Sequence, residues 1–188
     1  MREIPLGKDA MLKLLTVEDA VDLSRLIDNS RSYLREWLPW VDASRTIENT
    51  IGFITSTLEQ KERNQGLHFG IWYKGRLTGT LGVHKIDWLH RKTEIGYWLG
   101  AEYQGKGLMT ASVRAYLNEL VFGEWDLNKV SILAARENRK SRAIPERLGF
   151  KQDGILRQNE CLYGRFVDHV VYSMLASEWE QSNAKILD

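Results

Sequence analysis

Residues 93–113 read TEIGYWLGAEYQGKGLMTASV. A strand-like run, Thr93 to Leu99, enters a turn, and Gly105-Lys106-Gly107 stands just before Met109, Val113, Tyr116, Leu117 and Leu120, which share one helical face. Glycine lets a backbone approach an anion closely, and a helix N-terminus presents unpaired N–H groups and the positive end of its dipole. The junction therefore predicts a phosphate cradle at the C-terminal end of a sheet strand, where ligands of α/β sheets bind. The bland alternative is a glycine-rich turn that only starts a helix.

Two common phosphate loops are excluded by near misses. GAEYQGKG (100–107) nearly spells G-x-x-x-x-G-K-[ST], but Gly107 stands where a hydroxyl must hold Mg²⁺, and no apolar strand ending in Asp supplies a second metal anchor. GKGLMT half-matches G-x-G-x-x-G, but a third glycine is missing where helix and strand would pack closely. Neither a nucleoside triphosphatase nor a nicotinamide or flavin enzyme fits.

Outward from this junction the chain reads as a mixed α/β sheet. MLKLLT predicts a strand, and Thr16 caps a helix over 17–29 with Glu18 and Asp19 in its first turn. Ile47, Ile51, Ile54 and Leu58 predict a helix from Thr46 to Gln65 that Gly66 ends. LHFGIWY, RLTGTLGVHKI and TEIGYWLG predict three successive strands. After the glycine loop and its helix come a strand, KVSILAA, a short helix from Asn138 to Leu148, and two last strands, FKQDGIL and DHVVYSML. Arg139, Lys140 and Arg142 cluster at the start of that short helix, where cations oppose the dipole by roughly 0.3–1 kcal/mol each. A nearby anion would account for them; a solvated face is the alternative. Pro145 cannot donate to the carbonyl of Ser141, which predicts an irregular first turn with Ser141 near the cap.

Composition sets the outer bounds. The chain has 188 residues, 43% apolar and 27% charged, which predicts one soluble domain over 1–188. A formal charge of +1 argues against nucleic acid as a partner held by bulk charge. Residues 1–10 carry no apolar signal region and no run reaches membrane-spanning length, so a cytoplasmic location and no membrane partner are expected. The single cysteine, Cys161, rules out an internal disulfide and reads as a semi-buried thiol. His68, His84, His90 and His169 show no i, i+4 pairing, so no metal site is expected. Trp37, Trp40, Trp88 and Trp98 read first as core residues.

Taken in order, EIGYWLG, QGKGLMT, NKVSILAA and NRKSRAIPERLGF resemble the GNAT superfamily of N-acetyltransferases, in particular its RimJ/RimL-type branch, which acetylates N-terminal amines of ribosomal proteins. The similarity spans almost the whole chain, from WLPW to GRFVDHVVYSML. The family loop is Q/R-x-x-G-x-G/A; Gln104 and Gly107 match it, and Met109 departs at the last position. The resemblance implies a mixed, mostly antiparallel central sheet, splayed at the fourth and fifth strands and flanked by helices. It implies acetyl-CoA as cosubstrate and no metal. The pyrophosphate would lie on the amides of Gln104, Gly105, Lys106, Gly107, Leu108, Met109 and Thr110. The pantetheine arm would pair with the backbone of Tyr97, Trp98 and Leu99, and Asn138 would bond the arm or an adjacent backbone group.

The same resemblance assigns chemistry. Acetyl transfer to an amine needs a proton acceptor, a stabilised oxyanion and a departing thiolate. Ser141 resembles the serine that assists the thiolate in this branch, with a helix cap as its plain alternative. Glu160 resembles the branch's base, acting through water; Glu94, which shares a strand face with Gly96 and Trp98, is the rival. WLPW places Trp37 and Trp40 near the acceptor, with Glu94, as walls of a peptide groove. The acceptor implied is a protein N-terminus. A small-molecule amine and a non-catalytic acyl-CoA-binding module are the alternatives, and a homo-oligomer is compatible with all three.

Overall fold

The computed structural model describes residues 2–184. Among the described residues eight strands form one sheet: β1 (Glu3–Pro5), β2 (Ala10–Leu14), β3 (His68–Tyr73), β4 (Arg76–Asp87), β5 (Lys92–Leu99), β6 (Lys129–Ala135), β7 (Lys151–Leu162) and β8 (Arg165–Leu175). Their order is β1-β2-β3-β4-β5-β6-β8-β7. β5 and β6 are parallel, whereas β1–β2, β2–β3, β3–β4, β6–β8 and β7–β8 are antiparallel. This is the mixed, mostly antiparallel α/β sheet that the sequence implies. The three-residue β1 escapes a sequence reading because it is too short to alternate, so the expected fourth and fifth strands are β5 and β6. Their ladder pairs Lys92, Thr93 and Glu94 with Lys129, Val130 and Ser131 and ends there, while β5 runs on to Leu99.

Helices are α1 (Ala20–Arg35), α2 (Ile47–Glu62), α3 (Leu108–Tyr116), α4 (Arg139–Arg147) and α5 (Ala176–Ala184). Parallel strands cannot be joined by a hairpin, so the β5–β6 pair demands a crossover. The crossover is α3, continued by a π-helical segment, Leu117–Glu124. The wider winding brings the carbonyl of Asn118 to 2.3 Å from where a Cβ on Gly123 would sit, so only glycine fits there. The crossover thus sets a helix N-terminus at the end of β5.

Residues up to 83, with 97–115, form one compact unit; 84–96 and the residues from 116 onward form another. In the first, Leu23, Leu26, Ile27, Ser30 and Leu34 make the buried stripe of α1. That stripe joins Leu15, Ile54 and Leu77 in the core. Thr16 and Asp19 form a box, the Thr16 N–H donating to Asp19 Oδ2 at 2.9 Å. The first turn, Val17–Asp19, is 3₁₀, and the helix continues past the expected residue 29 to Arg35. α2 stops at Glu62, before Gly66, because Asn64 already takes a left-handed conformation (φ 54°).

In the second unit, β6 buries Val130, Ile132 and Ala134, and β8 buries Val170, Tyr172 and Met174. Trp179 packs on Phe122 and donates its indole N–H to Asn118 Oδ1 at 2.7 Å. Trp88, expected in the core, is 40% exposed and meets Trp125 edge-on at a turn. Cys161 is exposed, not semi-buried, because it sits on β7, whose residues from Lys151 to Cys161 are nearly all solvent-facing.

Candidate active site

The glycine loop is built as a left-handed step before α3. Gly105 and Gly107 take φ of +75° and +74°, and a Cβ on either would meet no protein atom within 4 Å. Glycine is required here by backbone conformation, and the space beside both residues is open. The first intrahelical bond runs from the Ala111 N–H to the Gly107 carbonyl at 3.0 Å, so the amides from Leu108 onward face the loop. The Leu108 and Met109 side chains are buried. Methionine in place of the family's small residue is accommodated inward, and its amide stays at the helix end. Lys106 is exposed, its ammonium donating to the Glu102 carbonyl at 2.8 Å.

Helix α1 holds this loop from behind. The Ala101 N–H donates to Ser30 Oγ at 3.2 Å, and the side chain of Gln104 bonds the Tyr33 phenol. Burial pushes the Tyr33 hydroxyl above its ordinary value. Sequence reasoning missed both supports. The available signal was Ser30, a polar residue on the apolar stripe of α1. Gly79 on β4 was also missed. A Cβ there would lie 2.1 Å from the Trp98 carbonyl oxygen and 2.9 Å from Leu99 Cα, so this glycine admits the β5 backbone at Trp98–Leu99. The Gly100 N–H then donates to the Thr78 carbonyl at 2.8 Å.

Trp40 and Trp98 pack with ring centroids 5.9 Å apart and lean on the core of the first unit; Trp37 is half-buried. Glu94 on β5 faces His84 of β4, Oε1 to Nε2 at 4.0 Å, with both side chains substantially exposed. A Cβ on Gly96 would reach 2.5 Å from the same His84 nitrogen, so Glu94 and Gly96 share that face, as alternation requires.

On α4 the cap is Asn138, whose Oδ1 accepts the Ser141 N–H at 3.1 Å. Ser141 is therefore the third residue of the helix and not its cap. Pro145 lies inside α4 without interrupting it, so the first turn is regular, contrary to expectation. Arg142 is engaged by protein partners. It donates to the Tyr172 hydroxyl at 2.8 Å and to the Arg136 carbonyl at 3.0 Å, and Tyr172 donates to Glu146 Oε1 at 2.6 Å. That network raises the Arg142 guanidinium further, chiefly through the Tyr172 bond. Arg139 and Lys140 are exposed.

Glu160 stands beside a bulge. β7 and β8 pair Leu156 with His169 and Glu160 with Val167, so Arg157, Gln158 and Asn159 oppose Asp168 alone. Gln158 takes a left-handed φ of 51°, and its N–H donates to Asp168 Oδ1 at 2.9 Å. The extra residues set Asn159 and Glu160 around His169. Glu160 Oε2 lies 3.4 Å from His169 Nε2, and Asn159 Nδ2 lies 3.0 Å from His169 Nδ1. Spacing rules dismissed His169 because strand pairing across a hairpin leaves no short motif. Among the described residues no group of three or more His, Cys, Asp or Glu could hold a metal, and no helix is long and apolar enough to cross a membrane.

Comparison with known proteins gives a consistent picture. The acetyltransferase (GNAT) domain family matches residues 10–151. A Bacillus subtilis (strain 168) relative named "Putative ribosomal N-acetyltransferase YdaF" is 38% identical, over 90% of this chain and 92% of its own. Among solved structures, the microcin C7 self-immunity acetyltransferase MccE, in complex with acetyl-CoA and AMP, is 27% identical with a TM-score of 0.86, over 90% and 94% of the two chains. The ribosomal L7/L12 α-N-protein acetyltransferase RimL, in complex with coenzyme A, is 22% identical with a TM-score of 0.90, over 94% and 99%, a likeness of fold.

Proposed function

The chain belongs to the GNAT family and is an N-acetyltransferase of that type, and from this premise we propose that it acetylates the N-terminal α-amine of a protein, such as a ribosomal protein. The donor is acetyl-CoA. The observation that carries the reading is the pair of left-handed glycines, Gly105 and Gly107, with open space beside them at the N-terminus of α3. The names of its relatives support the acceptor.

In this reading the amides of Gln104 to Thr110 hold the pyrophosphate, and Lys106 adds charge at the edge. The β5 backbone at Tyr97 to Leu99 pairs with the pantetheine arm, and an amide there receives the carbonyl oxygen as it gains charge. Glu160 takes the ammonium proton through one water, leaving the amine lone pair free to attack the thioester carbon. As the C–S bond breaks, Ser141 Oγ hydrogen-bonds the departing sulfur. Asn138 fixes the Ser141 backbone by its cap. Trp37, Trp40 and Glu94 line the acceptor's approach. Residues 1–188 act as one catalytic domain in the cytoplasm, and the family match draws on residues of both compact units.

A thiol-release assay against a panel of N-terminal peptides and small amines tests the acceptor. Turnover with peptides starting in a small residue, and none with polyamines, amino acids or aminoglycosides, is the expected result. Preference for a small amine would overturn the acceptor while keeping the chemistry. No thiol release with any amine would reduce the chain to an acyl-CoA-binding module.

A further inference from the structure

We propose that His169 is a positioning residue for the acetyl transfer: it fixes the direction of the Glu160 carboxylate. The inference rests on Glu160 being the base. Among the described residues, the Glu160 carboxylate has one polar side-chain partner, His169, with Nε2 at 3.4 Å. The imidazole is the more enclosed of the two, its side chain 12% exposed against 29% for Glu160.

The other ring nitrogen is also occupied. Asn159 Nδ2 lies 3.0 Å from His169 Nδ1. The ring is thereby held with its Nε2 edge beside Oε2 of Glu160, and Oε1 is left for the water that receives the ammonium proton. The bulge builds this arrangement, since Gln158 is held left-handed by the Asp168 carboxylate. A regular ladder would put a single residue opposite Asp168, and Asn159 and Glu160 would not both reach one ring.

The other charged groups near His169 are engaged elsewhere. β7 contributes Glu160, Asn159 and, opposite His169, Leu156. β6 presents Ala135 opposite His169, and the next residue, Arg136, is 3.6 Å from Asp168. On β8 itself, Asp168 is engaged by Arg136 and the Gln158 amide.

The test measures kcat and KM for Glu160→Gln, His169→Ala, His169→Gln and the Glu160→Gln/His169→Ala pair, with melting temperatures alongside. His169→Ala should lose about tenfold or more in kcat with the KM for acetyl-CoA unchanged. His169→Gln keeps a polar N–H group beside Glu160, so it should restore most of the activity. The double variant should be no slower than Glu160→Gln. If Glu160→Gln is crippled while His169→Ala keeps the wild-type kcat, His169 only packs the strand and the inference is overturned. If His169→Ala does not fold, a folded His169→Leu variant with the wild-type kcat overturns it equally. If Glu160→Gln keeps wild-type rates, the base assignment itself fails and takes this inference with it.

Discussion

In the proposed mechanism Asn138 and Ser141 have different tasks at the start of α4, and the difference is measurable. The Asn138 side chain is the cap, its Oδ1 accepting the Ser141 N–H. Asn138→Ala should cost about 0.5–2 kcal/mol of stability, the usual loss of an N-cap, read by urea denaturation. Ser141→Ala should cost less stability than Asn138→Ala and leave coenzyme A binding intact, yet lower kcat. Equal destabilisation by the two variants, or an unaltered kcat in Ser141→Ala under single-turnover conditions, would contradict this division. The two carboxylates separate in the same manner. Glu160→Gln should lose about 10²–10⁴-fold in kcat/KM at neutral pH, with the loss shrinking as the amine deprotonates unaided at higher pH. Glu94→Gln should lose less, since Glu94 is half-exposed and its polar neighbour His84 stands 4.0 Å away. A crippled Glu94→Gln beside a near-normal Glu160→Gln would reverse the assignment. At this scale the sequence was only partly legible: Glu160 stood out through the family resemblance, whereas His169 became visible only once β7 and β8 were paired.

The glycine loop was legible because paired glycines at a strand–helix junction announce a left-handed turn; its supports were not. Ser30 and Tyr33 act from α1, far away in sequence, and Gly79 acts across a strand pair, so neither leaves a local signature. No protein atom opposes a Cβ at Gly107, so the demand that the structure itself makes there is the left-handed φ. A β-branched residue resists that conformation and would rotate the neighbouring amides away from a shared focus. Gly107→Val should therefore raise the Kd for coenzyme A by tenfold or more, about 1.4 kcal/mol or above, in calorimetry. Circular dichroism should remain that of the folded chain. Wild-type affinity in this variant would move the pyrophosphate cradle elsewhere.

At the scale of the whole molecule, alternation and glycine punctuation revealed seven of the eight strands among the described residues, whereas the parallel pairing of β5 with β6 was not read and is seen only in the ladder. What escaped was the three-residue β1, the π-helical turn and helix α5, all set by tertiary packing more than by pattern. The charge balance, 26 basic against 25 acidic residues, carries a further consequence. A net charge of +1 offers no bulk attraction for a polyanionic cosubstrate, and the proposed site draws its affinity from fixed amides at the N-terminus of α3. Such short-range contacts are screened far less than exposed charges, whose reach shrinks to about 3 Å at 1 M salt. A ligand that binds only the folded state stabilises it by about 2.7 kcal/mol at one hundred times its Kd. For a chain of this size that corresponds to roughly 5–11 °C in Tm. Acetyl-CoA should raise the wild-type Tm by this amount, most of the shift should persist in about 0.5 M NaCl, and Gly107→Val should lose it at the same ligand concentration. A shift that vanishes with salt would mean that exposed cations such as Lys106, Arg139 and Lys140 hold the ligand; no shift at all would leave the loop without its proposed ligand.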